Sequence, residues 1–386
     1  MSGIIIAGGG IAGLTMALAL HAAGREDITV LERSRSLEPL GSGINVMPPA
    51  IRELDRLGVL EDLREIAVET SHLIYATSRG ETIWEESRGQ SAGFRWPPAP
   101  AYRRELLPDS TGRTLVACDF ADAADPDAPL VVLFHGLEGS SRSHYAVELM
   151  RAVIEKGWNG VVVHFRSCGG VENTAPVFYH LGDTREIGFM LEMLSERYRR
   201  IYAAGVSLGG NALAKYLGEY GSLGMAAVPY AAAAVSAPVD AAAAGTRFDK
   251  GMSKLLYTRY FLKSLLPKAA ATDFQTTLLK ECKTLGDFDD RFTAPLHGFA
   301  DRHDYYRRAS CKPWLKTVRT PLLLLNAVND PFLPPKALPT VEEVSSAVTL
   351  LQPQYGGHAA FVSRDKGRLN LQWLPQTLLT YFEAFE

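Results

Sequence analysis

The sequence predicts a doubly wound α/β fold preceded by a partial Rossmann-like βαβ fragment, and three observations carry that expectation. From about Leu115 onward, short β-branched or apolar runs alternate with segments of helical periodicity. One of those runs passes through Gly205-Val-Ser-Leu-Gly209 directly into a helical stretch. Near the start of the chain, Gly8-Gly-Gly-Ile-Ala-Gly13 lies between a strand pattern and a helix pattern.

Taken in order, Ile4–Ala7 reads as a strand, the glycines as a tight turn, the following residues to about Ala23 as a helix, and Ile28–Leu31 as a second strand ending at Glu32. Gly8 permits the turn, Gly10 lets the backbone approach a pyrophosphate, and Gly13 lets helix and strand pack closely. Glu32 stands where a carboxylate can accept from a ribose hydroxyl. A two-stranded parallel unit cannot cover both faces of a sheet, so residues 1–98 read as a truncated fragment. The proline cluster Pro97, Pro98 and Pro100 marks its end. Charge shifts there too: residues 1–98 contain nine Arg, no Lys and thirteen acidic residues.

The second segment, 102–386, supplies the doubly wound sheet. Strands are predicted at Leu130–Phe134, Gly160–Phe165, Ile201–Val206, Ala231–Val239, Pro321–Leu325 and Val348–Leu351. Asp183 with Glu186 three residues on predicts a capping box for the helix carrying Ile187, Met190, Leu191 and Leu194. A helix is predicted over Asn211–Tyr220. Residues of about 241–313 form an insertion too long for a simple strand connection, which predicts a helical lid.

The chemistry is placed at strand ends. Glycines flank Ser207 because the strand-to-helix turn is too sharp for side chains on either side, and the strain lifts the hydroxyl clear of the sheet. A serine nucleophile requires a base and an orienting acid, in the order Ser, Asp or Glu, His for this kind of site. Asp330, after the run Pro321–Leu325, and His358, after Gly356 and Gly357, fall in that order. His297 and His303 lie in the insertion and read as surface or lid residues. Asp240, after the run Ala231–Val239, is the rival acid. The backbone N–H groups of Leu137 and Leu208 are the expected oxyanion donors, and His135 reads as structural.

Composition bounds the rest. The 386 residues are 47% apolar and 22% charged, with a net charge of −3, which disfavours nucleic-acid binding. Cys118, Cys168, Cys282 and Cys311 match neither a disulfide framework nor a zinc pattern, so a cytoplasmic location and no metal are expected. The apolar run Ile4–Leu20 is broken by Gly8, Gly9, Gly10 and Gly13, and Met225–Gly245 by Pro229, Pro238 and Asp240. Neither reads as a membrane span. In the insertion, Arg247, Lys250, Lys254, Arg259, Lys263 and Lys268 interleave with Leu255, Leu256, Tyr260, Phe261, Leu265 and Leu266. This pattern fits a lid with a solvated basic face over an acyl pocket, or transient contact with anionic lipid. Oligomeric state is not legible.

Two resemblances add to this. Gly41-Ser-Gly-Ile-Asn-Val-Met-Pro-Pro-Ala50, Leu54, Leu57-Gly-Val-Leu60 and Phe94-Arg-Trp-Pro97 resemble the flavin-dependent aromatic hydroxylases. That resemblance implies FAD as cofactor, with Gly8, Gly10, Gly13 and Glu32 at its adenosine and pyrophosphate end, as a vestigial site. The Asp-Gly and Gly-Asp-Ala elements of that family are absent.

His135-Gly-Leu-Glu-Gly-Ser-Ser141, Ser143-His-Tyr145, Asn159-Gly-Val-Val-Val-His-Phe-Arg166, Tyr179-His-Leu-Gly-Asp-Thr184, Gly205-Val-Ser-Leu-Gly-Gly-Asn211, Ser236-Ala-Pro-Val-Asp240, Asn329-Asp-Pro-Phe332 and Gly357-His358 resemble the YheT-type α/β hydrolases. This implies an α/β-hydrolase fold and a serine carboxylesterase acting on acyl or lipid-like esters, with Ser207, Asp330 and His358 as triad and no cofactor required for hydrolysis. The Asn-Pro-His element usual in that group is replaced by Gly93-Phe-Arg-Trp-Pro-Pro-Ala-Pro-Ala-Tyr102. Two other readings stay open: an FAD-dependent monooxygenase using the first segment, and a catalytically impaired fusion protein.

Overall fold

The fold is that of a computed structural model, which describes residues 3–34, 46, 48–68, 70, 72–79, 81–87, 99–249, 257–272, 276–365 and 368–386. Much of the hydroxylase-like pattern (residues 41–45, 47 and 94–97), Pro98, and Lys250, Lys254, Leu255 and Leu256 of the insertion lie outside the described residues. The chain divides into two compact units, Met1–Ala92 and Gly93–Glu386.

The first unit opens with β1 (Ile4–Ala7), α1 (Ile11–Ala22) and β2 (Ile28–Leu31), β1 pairing parallel to β2 from Ile4↔Ile28 to Ala7↔Leu31. Alternate residues of both strands are half-buried, while Ile5 and Leu31 are 68% and 55% exposed. One face of this small sheet is therefore uncovered, as two strands and one helix dictate. Helices α2 (Pro48–Arg56) and α3 (Leu60–Ile66) follow, then an antiparallel hairpin of β3 (His72–Ala76) and β4 (Thr82–Ser87) that the sequence reading missed.

In the second unit, β5 (Arg103–Pro108), β6 (Leu115–Ala121), β7 (Leu130–Phe134), β8 (Asn159–Val163), β9 (Ile201–Val206), β10 (Ala231–Val235), β11 (Leu322–Leu325) and β12 (Val348–Leu351) form one eight-stranded sheet. Its order is β12-β11-β10-β9-β7-β8-β6-β5. Pairing is parallel from β12 to β8 and antiparallel at β6 and β5. Strands β7 to β11 are buried along their whole length, because helices cover both faces.

On one face Val132, Phe134, Val161 and Ala203 pack with Ile187, Met190 and Leu191 of α5 (Thr184–Ser195) and Leu213 and Leu217 of α6 (Leu208–Ser222). On the other, Val131, Leu133, Val162 and Tyr202 pack with Leu149, Met150 and Val153 of α4 (His144–Glu155). Leu378 and Phe382 of the C-terminal helix, Trp373–Glu383, complete that layer. Each large apolar side chain so buried contributes ~1.5–3 kcal/mol. The insertion is mostly helical where described, and includes α7 (Ala241–Phe248), α8 (Arg259–Ala270) and α9 (Arg302–Ala309).

Three expectations require correction. The strand expected to reach Val239 ends at Val235, because Ser236 turns the chain at φ +48°. The helix expected from Asn211 starts at Leu208. The capping box of Asp183 and Glu186 does not form: Asp183 is the N-cap but makes no side-chain cap bond. Instead Asp183 Oδ2 accepts from Arg166 Nη1 at 2.7 Å and Glu186 Oε2 from Arg166 Nη2, while Arg166 Nε donates to Asp109 Oδ2 at 2.7 Å. A local capping pattern has lost to a buried guanidinium, which offers charge-assisted bonds worth more than a cap.

Burial raises the Asp183 and Glu186 carboxyls above their usual range, and the nearby Arg166 charge opposes that rise. Arg166→Met should therefore destabilise the fold by ~3–5 kcal/mol at neutral pH. A carboxyl whose folded pKa is raised binds protons more readily folded than unfolded, so the deficit should shrink as pH falls towards the carboxylate range. Urea melts of both proteins at several pH values measure this; a deficit that grows on acidification would show the cluster to be misread.

Candidate active site

Ser207 stands between the end of β9 and the start of α6 with φ +52° and ψ −115°, a conformation that L side chains rarely adopt. Its N–H donates to Val235 O at 2.8 Å, which ties the turn to β10. The flanking glycines are sterically required. A Cβ at Gly205 would stand 2.4 Å from Gly209 O, and one at Gly209 would stand 2.3 Å from Phe134 O.

His358 and Asp330 are brought together from loops after β12 and β11. His358 Nδ1 donates to Asp330 Oδ2 at 2.8 Å, and Asp330 Oδ1 accepts from Phe332 N–H at 2.9 Å. Asp330 is buried, so this carboxylate is oriented on both oxygens. The histidine loop is fastened by residues to which the sequence assigned no role. Asn329 Oδ1 accepts from the N–H groups of Gly356 and Gly357 at 3.0 and 2.9 Å. Ser236 Oγ accepts from Ala359 N–H at 3.0 Å, and His144 Nε2 donates to Ala359 O at 3.1 Å. Ser236 follows β10, the neighbour of β9, whose following turn carries Ser207, so the same end of the sheet carries both turns. Among the described residues, no hydrogen bond joins the Ser207 hydroxyl to His358. Catalytic bonds of this kind commonly tighten only around substrate.

The loop after β7 lies against the serine: a Cβ on Gly136 would stand 3.2 Å from Ser207 Cβ. Gly136 N–H donates to Tyr145 Oη at 2.9 Å and Glu138 N–H to Tyr179 Oη at 3.1 Å. The N–H of Leu137 lies between these two engaged donors and, like that of Leu208 at the start of α6, has no acceptor among the described residues. Two uncommitted N–H groups beside a serine are what a developing oxyanion needs. The far end of the loop is anchored where Ser141 Oγ donates to Asp119 Oδ2 at 2.5 Å and Ser141 N–H to His164 Nε2 at 3.1 Å.

His135 is buried, its Nδ1 donating to Gly136 O at 2.7 Å and its Nε2 accepting from Phe165 N–H at 3.1 Å. Burial pushes it down to about 3, so it stays neutral and structural. Asp240 is employed as the N-cap of α7, accepting from Ala243 N–H at 3.0 Å. His297 packs on His180 with ring centroids 4.3 Å apart, and burial lowers it to about 4. Aromatic side chains gather beside the base. Phe332 meets the His358 ring edge-on at 4.4 Å, Phe248 stacks on Phe332 at 4.5 Å, and Tyr257 meets Phe332 at 4.8 Å.

In the first unit, Gly8 has φ +107°, and a Cβ at Gly13 would stand 1.9 Å from Gly8 O, so both glycines are required by the turn itself. Gly10 is the N-cap of α1. Glu32 is turned inward onto the chain's own donors, its Oε2 accepting from Gly9 N–H at 2.6 Å and its Oε1 from Ser34 N–H at 2.7 Å. The bonds from Ser34 and then Gly9 hold its carboxyl below the usual range. Gly8, Gly10 and Gly13 thus form a tight turn of the kind a dinucleotide's pyrophosphate would meet, while Glu32, the residue expected at a ribose, is already engaged with the N–H groups of Gly9 and Ser34. Among the described residues, no group of three His, Cys, Asp or Glu side chains could hold a metal ion.

No family model matches the chain. It is 36% identical over 307 residues, 74% of this chain and 86% of the relative, to the protein named "Putative esterase YheT" of Escherichia coli (strain K12). It is 30% identical over 304 residues to "Phospholipase ABHD3" of Homo sapiens, with 73% of each chain covered. Identity is 28% over 278 residues with "Monoacylglycerol lipase" of Saccharomyces cerevisiae (strain ATCC 204508 / S288c), covering 68% of this chain and 60% of the relative. A solved membrane phospholipase A, described as a novel bacterial virulence factor, superposes with a TM-score of 0.50 at 14% identity, over 76% of this chain and 87% of that one. That is a likeness of fold.

The two acids make different bonds, so substitution should separate them. Asp330→Asn should lower turnover of an acyl ester by ~10⁴, by favouring the wrong His358 tautomer. Asp240→Asn should leave turnover within a few-fold and cost at most ~1 kcal/mol of stability at the helix cap. Steady-state kinetics with thermal melts measure both, and the reverse ranking would move the role to Asp240.

Proposed function

This chain belongs to the YheT-like family of α/β hydrolases and is a carboxylic ester hydrolase, and on that premise we propose that it cleaves acyl or lipid-like esters through an acyl-enzyme on Ser207. The observation that carries the reading is the 2.8 Å bond from His358 Nδ1 to buried Asp330, at the sheet edge that also carries the strained serine. With Nδ1–H held by Asp330, the imidazole keeps Nε2 as the basic nitrogen.

Nε2 takes the Ser207 proton as Oγ bonds to the ester carbonyl carbon. The carbonyl oxygen becomes an oxyanion and accepts from the N–H groups of Leu137 and Leu208. Collapse of the tetrahedral intermediate breaks the bond to the alcohol, which leaves with the proton that His358 carries. Water, deprotonated by the same nitrogen, then attacks the acyl-enzyme, and the carboxylic acid departs as Oγ regains its proton. Every proton step passes through protein groups, so hydrolysis requires no cofactor.

The aromatic wall of Phe332, Phe248 and Tyr257 beside His358 supports an apolar acyl group. The relatives named phospholipase and monoacylglycerol lipase support the same substrate class. We assign residues 102–386 to the hydrolase domain, with the insertion of about 241–313 as its lid. Among the described residues, no helix is long and apolar enough to cross a membrane. Cys118 and Cys168 are buried thiols that form no disulfide, in keeping with a cytoplasmic location. The rival reading, an FAD-dependent monooxygenase, is not favoured, because the relatives are hydrolases and Glu32 is engaged with the N–H groups of Gly9 in the glycine turn and of Ser34. Residues 1–98 are assigned as a nucleotide-binding relic.

Ser207→Ala should abolish labelling by a fluorophosphonate probe and reduce p-nitrophenyl ester turnover to the residual ~10³–10⁴ over water that an oxyanion hole alone supports. Undiminished labelling would exclude Ser207 as the nucleophile.

The relic assignment has its own test. Full-length protein dialysed after incubation with FAD should retain far less than one equivalent, read from flavin absorbance. Stoichiometric retention would show that the first unit binds flavin.

A further inference from the structure

Glu138 follows Leu137 in the loop that lies against Ser207, and three features set it apart from a surface glutamate. Its backbone is in the left-handed region at φ +55°. Its side chain is only 5% exposed. Its carboxylate is shared between the loop's own support and the insertion: Oε1 accepts from Tyr179 Oη at 2.5 Å, and Oε2 accepts from Lys268 Nζ at 2.7 Å and from Ser264 Oγ. Ser264 and Lys268 are four apart, one turn of α8, so both face the carboxylate from the same side of that helix. Tyr179 is bonded to Glu138 twice, since its oxygen also accepts from Glu138 N–H at 3.1 Å.

A residue held in the left-handed region at a cost of ~1–3 kcal/mol persists only if its surroundings over-determine it. Here the surroundings are Tyr179 from within the hydrolase core and Ser264 and Lys268 from the insertion. The peptide plane joining Leu137 to Glu138 is oriented by these bonds, and the Leu137 N–H is one residue away. A displacement of that donor by a fraction of an ångström weakens its bond to the oxyanion, and that bond forms only as the charge develops.

We propose that Glu138 is a positioning residue: clamped by Ser264 and Lys268 of α8, it aims the Leu137 N–H at the oxyanion, so that seating of the insertion helix is coupled to transition-state stabilisation. The proposal rests on the reading of Leu137 as an oxyanion donor. A charge-assisted bond to a carboxylate only 5% exposed is strong enough to hold the loop, and Lys268, itself partly exposed, is the partner that leaves first if α8 lifts.

The test uses Lys268→Met, Ser264→Ala and Glu138→Gln in the full chain, with p-nitrophenyl butyrate as substrate and a trifluoromethyl ketone as a mimic of the tetrahedral intermediate. Lys268→Met and Glu138→Gln should each lower kcat by ~10–100-fold, less than the ~10²–10³ for outright loss of an oxyanion donor, with KM within about threefold. The ketone's inhibition constant should rise in proportion to the fall in kcat/KM. Lys268→Arg should restore most of the loss, and the double variant should be no worse than about twofold beyond the poorer single variant.

Unchanged kcat in both variants would overturn the proposal. So would a fall in activity matched by loss of folded protein in thermal melts, with the ketone binding unchanged to what remains folded. Ser264→Ala, which keeps both charges, should lie between wild type and Lys268→Met; a loss larger than that of Lys268→Met would also overturn it. Fluorophosphonate labelling separates this proposal from the parent reading. If wild type is labelled on Ser207 and the Lys268 and Glu138 variants turn over normally, the clamp alone is wrong. If wild type is not labelled, the acyl-enzyme reading itself fails.

Discussion

The second unit is organised around one strained residue. A serine at φ +52° costs ~1–3 kcal/mol relative to relaxed backbone, and it survives because every neighbouring position is committed to it. Gly205 and Gly209 have no room for a side chain, Gly136 lies against the serine's own Cβ, and the serine's N–H is bonded to β10. The strand and helix on either side are buried along most of their length, so the turn cannot relax by letting either element shift. What surrounds it follows from this fixed point. The loop after β7 must pass over it without a side chain at Gly136, and the loops after β11 and β12 must deliver an acid and a base to the same edge of the sheet.

Much of this was legible in the sequence, for a physical reason. A parallel strand covered on both faces needs an unbroken apolar run, and such runs end in turns whose glycines and serine are visible as letters. The six runs from Leu130 to Leu351 each correspond to a strand, and Ser207, Asp330 and His358 each follow one. The antiparallel edge was not legible. In β5, Arg103, Arg104 and Leu106 are exposed and Glu105 is half-buried, with Arg103 paired to Asp122 and Glu105 to Arg197, which as a sequence reads like a polar loop. The fastenings of the histidine loop were hidden for another reason. Ser236 and His144 act on Ala359 across 123 and 215 residues, and nothing near either residue encodes the partner.

The capping box of Asp183 and Glu186 shows the complementary failure, in which a sound local rule is outbid. A cap is worth about 1 kcal/mol, whereas a buried guanidinium left without carboxylates costs several times that. Arg166 therefore draws both acids away from the helix terminus, together with Asp109 from the loop after β5. The first unit illustrates a different limit. Its glycine turn forms as the residues require, but Glu32, which the pattern alone assigns to a ribose, closes on Gly9 and Ser34, so a sequence fingerprint can be intact while its carboxylate has turned to its own backbone.

The alanines of β10 have a consequence for how this protein can vary. Ala232, Ala233 and Ala234 sit in register with Ala203, Ala204 and Gly205 on one side and with Leu322, Leu323 and Leu324 on the other. The middle of the sheet is thus a shallow furrow of methyl groups bordered by a leucine ridge, and the covering helices settle into it. Enlarging a furrow residue alone would force those helices outward at ~1–3 kcal/mol. Volume can enter the furrow only if the ridge gives up as much, so drift at these buried positions should proceed by compensated exchange between neighbouring strands, with the leucines acting as the reservoir of space.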